Sequence, residues 1–157
     1  MIIKMLVMDV DGTLTDGKIY VGENGEAFKA FNVRDGYGIR MLLIPANIRP
    51  VVISGRRSKI LDNRCKELGI EDVYQNVSDK LTCLNNLLGD APAYNQVAYI
   101  GDDINDLPCM DIIKKNGGLV GCPFDAVRKV KETSDYICTL NGGEGAVREF
   151  IEWILSK

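Results

Sequence analysis

The sequence predicts an α/β protein: a Rossmann-like open parallel sheet with helices on both faces, an inserted β-hairpin flap and no cap domain. All of it reads as one domain over 1–157, with the hairpin at about 18–31. Three observations predict this. Short runs are apolar at consecutive positions, the composition of strands covered on both faces. Amphipathic stretches alternate with those runs, in the rhythm of βα units. Polar clusters close the runs, where open α/β sheets bind ligands.

In chain order, Ile2–Met8 is the first apolar run, and "DVDGTLTDG" follows from Asp9. Lys18–Val21 and Ala27–Phe31 flank "GENGE", and Asn24-Gly25 is a strong hairpin turn signal. Asp35–Ile44 is amphipathic and predicts the first helix. Pro50–Ile53 is a second strand, and Ser58–Leu68 a helix with Ile60, Leu61 and Leu68 on one face. Gly69 ends that helix as a C-cap glycine. Asp79–Leu88 is helical, Val97–Ile100 is the third strong strand, and Asp106–Lys115 is helical again. Gly118–Gly121 and Asp135–Thr139 read as two short strands around a helix at Asp125–Thr133, and Gly145–Leu155 is the last helix. No repeat, low-complexity tract or linker interrupts the pattern.

Composition excludes several classes. The 157 residues are 46% hydrophobic and 26% charged with a net charge of −3, so no basic field invites nucleic acid. No apolar run is long enough to span a bilayer, and Asp9 and Asp11 interrupt the first one, so no secretory leader is expected. Five scattered cysteines, odd in number and without a CxxC pair, read as reduced thiols in a cytoplasmic protein. Histidine is absent, which removes Ser-His-Asp triads, Cys-His pairs and nearly all zinc or iron sites.

Four polar clusters fall at strand ends. Asp9 and Asp11 close the first strand; Asp102, Asp103 and Asp106 follow "VAYIG". If those strands are neighbours, their carboxylates converge, and a dication would relieve the repulsion. Oxygen ligands alone make that dication Mg2+. Either acidic pair by itself is equally at home in an ordinary Asp-Gly or Asp-Asp turn; both at strand ends point to a site. Ser54, after "PVVI" and before Gly55, offers a hydroxyl and backbone N–H groups to an anion, or serves as a helix N-cap. Lys80 opens a helix and would neutralise phosphoryl charge, although most lysines are simply solvated. As a set these are a carboxylate nucleophile, a second carboxyl two residues on for acid/base work, a hydroxyl, a lysine and a magnesium cluster.

These motifs, "DVDGTLTDG", "ISGR", Lys80 and "GDDINDLP", resemble the four signatures of haloacid dehalogenase-like (HAD) phosphatases. "GENGEAFKAFNVRDGYGIRML", "ISGRRSKILDNRCKELGI" and "NGGEGAVREF" further resemble the small capless branch that dephosphorylates sugar acids. The best-known members of that branch are the 3-deoxy-D-manno-octulosonate 8-phosphate phosphatases. The resemblance runs from about Ile2 to Leu155. It implies Asp9 as nucleophile and metal ligand, Asp11 as general acid/base with its carbonyl on Mg2+, and Asp102 as the third protein ligand. It implies Ser54 and Lys80 at the phosphate, with Asp103 and Asp106 as supporting acids. Around the substrate it implies Asn32, Val33, Arg34, Asp35, Gly36, Arg40, Arg56 and Arg64, with Asp11 and Lys80. A homotetramer follows from the same resemblance, with the hairpin and the segment Gly142-Gly143-Glu144-Gly145 closing a neighbour's site.

Glu144 departs from the octulosonate pattern, which commonly has a basic residue there, and so keeps the 9-phosphates of neuraminate or ketodeoxynononate as an alternative substrate class. A receiver-type signalling domain is a rival of another class, since it also combines an acidic pair, Mg2+, a hydroxyl and a lysine. Its phosphoacceptor would be expected on a later interior strand. A catalytically dead relative and a phosphomutase are weaker rivals: the five core positions are intact, and 157 residues leave little room for a cap.

Overall fold

The computed structural model describes residues 2–90 and 93–157. Among the described residues, eight strands run in chain order as β1 (Met5–Met8), β2 (Tyr20–Gly22), β3 (Gly25–Phe28), β4 (Arg49–Ile53), β5 (Asp72–Tyr74), β6 (Val97–Ile100), β7 (Leu119–Cys122) and β8 (Tyr136–Ile137). The helices are α1 (Val33–Tyr37), α2 (Lys59–Leu68), α3 (Lys80–Leu88), α4 (Leu107–Lys115), α5 (Arg128–Thr133) and α6 (Ala146–Leu155). The open parallel sheet that the sequence predicts forms, with six strands in the order β5-β4-β1-β6-β7-β8. β1 is central, in register with Arg49–Val52 on one side and Val97–Ile100 on the other. The strand order reverses direction at β1, so a crevice opens beyond its carboxyl end.

The consecutive apolar runs are explained by which face each residue serves. Leu6 and Met8 of β1, Val52 of β4, and Ala98 and Ile100 of β6 pack on one face with Leu61, Cys65 and Leu68 of α2 and Val147, Phe150, Ile151 and Ile154 of α6. Met5, Val7, Val51, Ile53, Val97 and Tyr99 pack on the other, against Leu84 of α3, Met110 and Ile113 of α4, and Val130 of α5. Burying a side chain of this size contributes about 1.5–3 kcal/mol, so a strand with two covered faces must be apolar throughout. Phe150 is fully buried and stacks with Tyr136 and Trp153 at centroid distances of 6.4 and 5.5 Å.

The differences from expectation are local. β5 is an edge strand of three half-buried residues, one of them an aspartate, and carries no apolar run to announce it. The first helix starts at Val33, where Asn32 caps it through Arg34 N, and continues as a π-helical turn over Gly38–Leu43. A 3-10 turn at Ile104–Asp106 precedes α4. The hairpin forms, but Gly22 pairs with Gly25, so its two-residue loop is Glu23-Asn24, one position earlier than Asn24-Gly25. All five cysteines are free, four of them buried. No described helix is long and apolar enough to cross a membrane.

Candidate active site

Asp9 is the first residue beyond β1, and its N–H still bonds Ile100 O at 3.0 Å, which ties it to β6. Thr13 and Thr15 donate their N–H groups back to Val10 O at 3.1 and 3.0 Å, so the DGT segment folds into a compact loop. Gly12 has φ +96°, and a Cβ there would stand 2.0 Å from Asp102 Oδ2. Only glycine allows the Asp102 carboxyl to lie against this loop.

Lys80, the first residue of α3, is held by the cap that Asp79 makes to Thr82 N at 3.0 Å. Its side chain is buried, and Nζ donates to Asp9 Oδ1 and, at 2.7 Å, to Asp106 Oδ1. Asp106 is fully buried and saturated: Oδ1 also accepts from Tyr99 OH at 2.7 Å, and Oδ2 from Asp102 N at 3.0 Å and Asp103 N at 3.3 Å. Asp106 thus orders the loop after β6 and orients Lys80. Asp103 is exposed and caps the 3-10 turn through Ile104 N.

One carboxylate oxygen each from Asp9, Asp102 and Asp106 lies within 4.8 Å of the others. Burial, with the Asp106 charge beside it, lifts Asp9 to about 6 despite Lys80. Burial and the Asp9 carboxylate push Asp102 up to about 9. Burial opposes the Lys80 ammonium, but Asp9 and Asp106 outweigh it and hold the amine above its usual range. Lys80 offsets part of this like-charge repulsion, and a bound dication would offset the rest. Because Asp106 is saturated by protein donors, Asp9 and Asp102 are the carboxylates open to one, and an all-oxygen set suits Mg2+.

Ser54 closes β4, buried, and its Oγ accepts from Arg56 N at 3.3 Å. It does not begin a helix; Ser58 is the N-cap of α2. Asp11 is not one of the three clustered carboxylates; it pairs with Lys29 Nζ at 2.6 Å. Lys29 escapes sequence reasoning because a hairpin lysine is solvated by default, and only the fold-back of β3 brings it to Asp11. Arg56 is exposed, 3.8 Å from Glu26.

The remaining substrate positions lie on α1 and its N-cap, on the π-helical turn that continues it, and on α2. Asn32 joins the cap of α1 to Gly143 O through Nδ2 at 3.3 Å, while Val33 and Arg34 are exposed. Asp35 is buried and accepts from Arg148 N at 2.9 Å. Burial pushes it up to about 6, against the N–H groups of Arg148, Gly145 and Val147 at the start of α6. Gly36 is buried under the Arg64 guanidinium. Arg40 donates to Glu67 O at 3.2 Å, and Arg64 pairs with Glu67 at 2.9 Å. Among the described residues, none of the hydrogen bonds or ion pairs of these two arginines reaches the Asp9 cluster.

The glycine-rich segment before α6 packs onto the loop after β1 of its own chain. Gly143 N donates to Thr13 O at 3.1 Å, and a Cβ at Gly142 would stand 1.9 Å from Gly12 O. Glu144 is exposed.

Fold and site together define a haloacid dehalogenase-like hydrolase. A structure named as a HAD-superfamily (subfamily III A) hydrolase from Legionella pneumophila matches with a TM-score of 0.86 at 37% identity, covering 98% of this chain and 82% of that one. No protein-family model matches the chain. The 3-deoxy-D-manno-octulosonate 8-phosphate phosphatase KdsC of Salmonella typhi is 46% identical over 154 residues, 98% of this chain and 79% of that protein. The Moraxella catarrhalis 3-deoxy-D-manno-octulosonate 8-phosphate phosphatase, solved with a magnesium ion, a phosphate ion and KDO, matches with a TM-score of 0.88 at 41% identity, covering 98% and 86%. The chain belongs to the 3-deoxy-D-manno-octulosonate 8-phosphate phosphatase family, whose members are phosphoric monoester hydrolases. That membership sets it with the phosphatases rather than with receiver domains.

Proposed function

We propose that this chain hydrolyses 3-deoxy-D-manno-octulosonate 8-phosphate through an aspartyl-phosphate formed on Asp9, with Mg2+ held by Asp9, Asp102 and the Asp11 carbonyl. The observation that carries this reading is the meeting of Asp9, Lys80, Asp102 and Asp106 beyond the carboxyl end of β1, in a chain of this family. Bound Mg2+ would shield the Asp9 charge from the incoming phosphate dianion.

A carboxylate oxygen of Asp9 attacks phosphorus, and the bond from phosphorus to the sugar oxygen breaks. Asp11 gives its proton to that departing oxygen. In the second half, Asp11 takes a proton from water as the water oxygen attacks phosphorus. The bond between phosphorus and Asp9 then breaks, releasing phosphate and restoring both carboxyls. The Lys80 ammonium and the Ser54 hydroxyl face charge that builds on the phosphoryl oxygens, in a setting already organised by Asp106 and the β4 loop. Arg56, and the arginines of α1 and α2, supply forks suited to a sugar carboxylate.

The family names support the octulosonate substrate; exposed Glu144 favours a second reading, a nonulosonate 9-phosphate. The assembly we propose is a homotetramer in the cytoplasm, and the exposed apolar side chains of Val21 and Phe28 on the hairpin fit a contact between subunits. The test is hydrolysis of the octulosonate 8-phosphate against the 9-phosphates of neuraminate and ketodeoxynononate, with Asp9→Asn and a chelator as controls. Preference for the 8-phosphate, lost in both controls, supports the reading. Wild-type turnover in Asp9→Asn overturns it.

A further inference from the structure

Lys29 stands one residue past β3 and 18 positions from Asp11 in the chain. Its side chain is only 5% exposed. Nζ donates to Asp11 Oδ1 at 2.6 Å and lies 3.1 Å from Glu26 Oε2. Glu26 Oε1 accepts from Ser58 Oγ at 2.7 Å. One buried ammonium therefore joins the loop after β1 to the hairpin, and through Glu26 to the segment that leads from β4 into α2. Ordering and desolvating a lysine costs rotamer entropy and hydration, and a hairpin that needs only stability has shorter or apolar side chains at hand.

We propose that Lys29 is the positioning residue for Asp11. It holds Oδ1 and fixes the plane of the carboxyl, while no hydrogen bond of the described residues engages Oδ2. Oδ2 is the oxygen left free to face the departing sugar oxygen, and on the general-acid reading the proton is delivered from it. When the sugar oxygen departs from phosphorus, the Oδ2–H bond breaks, the proton goes to that oxygen, and a carboxylate is left at Asp11. The adjacent ammonium stabilises the charge that forms there. This inference rests on the reading of Asp11 as the general acid.

The experiment compares kcat/KM for an alkyl ester, the octulosonate 8-phosphate, with kcat/KM for an aryl ester, p-nitrophenyl phosphate. The ratio kcat/KM covers steps up to departure of the alcohol or phenol, so it excludes the later hydrolysis of the intermediate. An aryl group leaves as a stable anion and needs little protonation; an alkyl group needs the acid. Lys29→Met is expected to lower the alkyl/aryl ratio by about tenfold or more, and Asp11→Asn to lower it at least as far. A purely structural role for Lys29 lowers both rates together, in step with Tm, and leaves the ratio within about threefold of wild type, which overturns the proposal. If Asp11→Asn lowers the ratio and Lys29→Met does not, the positioning role fails while the general-acid reading stands. If Asp11→Asn itself leaves the ratio unchanged, the general-acid reading fails and this inference with it. Where Lys29→Met does not fold, Lys29→Gln is assayed with the same expectation and the same overturning result.

Discussion

Asp102→Asn should make the metal-free protein more stable than wild type. The Asp102 carboxyl is buried against Asp9, and the two together push it up to about 9 from an ordinary value of 3.8. At pH 7.5 the unfolded chain has this group ionised, whereas the folded chain must keep it protonated. The difference corresponds to a cost on the order of 5 kcal/mol. Solvent relaxation around the site returns part of that, so about 2 kcal/mol is the smallest gain expected on removing the charge. For a chain of this length, about 2 kcal/mol raises Tm by roughly 4–8 °C. The sign with pH follows from the raised value in the folded state. Asp102 costs nothing below 3.8, and its penalty grows as pH climbs towards 9, so the advantage of Asp102→Asn should shrink on acidification and vanish near pH 4. Added Mg2+ should narrow the gap, because a ligand at about 100 times its Kd stabilises wild type by about 2.7 kcal/mol and the variant by less. The assay is thermal unfolding in chelator and in Mg2+ from pH 4 to 8.5. A variant no more stable than wild type in chelator at pH 7.5, or a gap indifferent to pH, would refute the reasoning.

Other outcomes can be stated briefly. Gly142→Ala drives a methyl into Gly12 O, 1.9 Å away, and neither backbone can yield cheaply; urea unfolding should show a loss of about 1–3 kcal/mol, with turnover reduced. Tyr99→Phe removes one of the four donors to Asp106, and denaturation should show a loss of about 1–2 kcal/mol with kcat falling more than KM rises. Glu149 accepts from Thr139 N, Leu140 N and Tyr136 OH; burial would raise its pKa, but those donors hold it below 4.5. Glu149→Ala should cost about 1 kcal/mol at pH 7, and since a depressed carboxyl contributes above its unfolded value, the wild-type advantage should fade as pH falls below about 4.5.

The sheet was readable because β1, β4 and β6 bury both faces, which forces apolar residues at every position but the exposed Arg49 that opens β4; Val97–Ile100 even has the observed ends. β5 was not, since an edge strand with one aspartate and partial exposure leaves no such imprint. Asp9, Ser54 and Asp102 were legible as candidates because strand ends mark the ligand side of an α/β sheet, and Lys80 because it opens the helix after "NVSD". What Asp106 and Asp35 bind was illegible: one engages Tyr99 and Lys80, the other the start of α6 more than a hundred residues on. Lys29 was hidden for the same reason, because its partner is chosen by how the hairpin folds back and not by any local pattern.

The contact of Gly142 and Gly143 with the Gly12–Asp16 loop has a consequence for synthesis. During translation Asp9 emerges about 130 residues before Gly142 and Gly143, so the loop that follows it cannot take its final packing until those glycines have been made. A ribosome stalled before the glycines would release a product that holds Asp9, Lys80 and Asp102 but lacks the backbone that packs on the loop after β1.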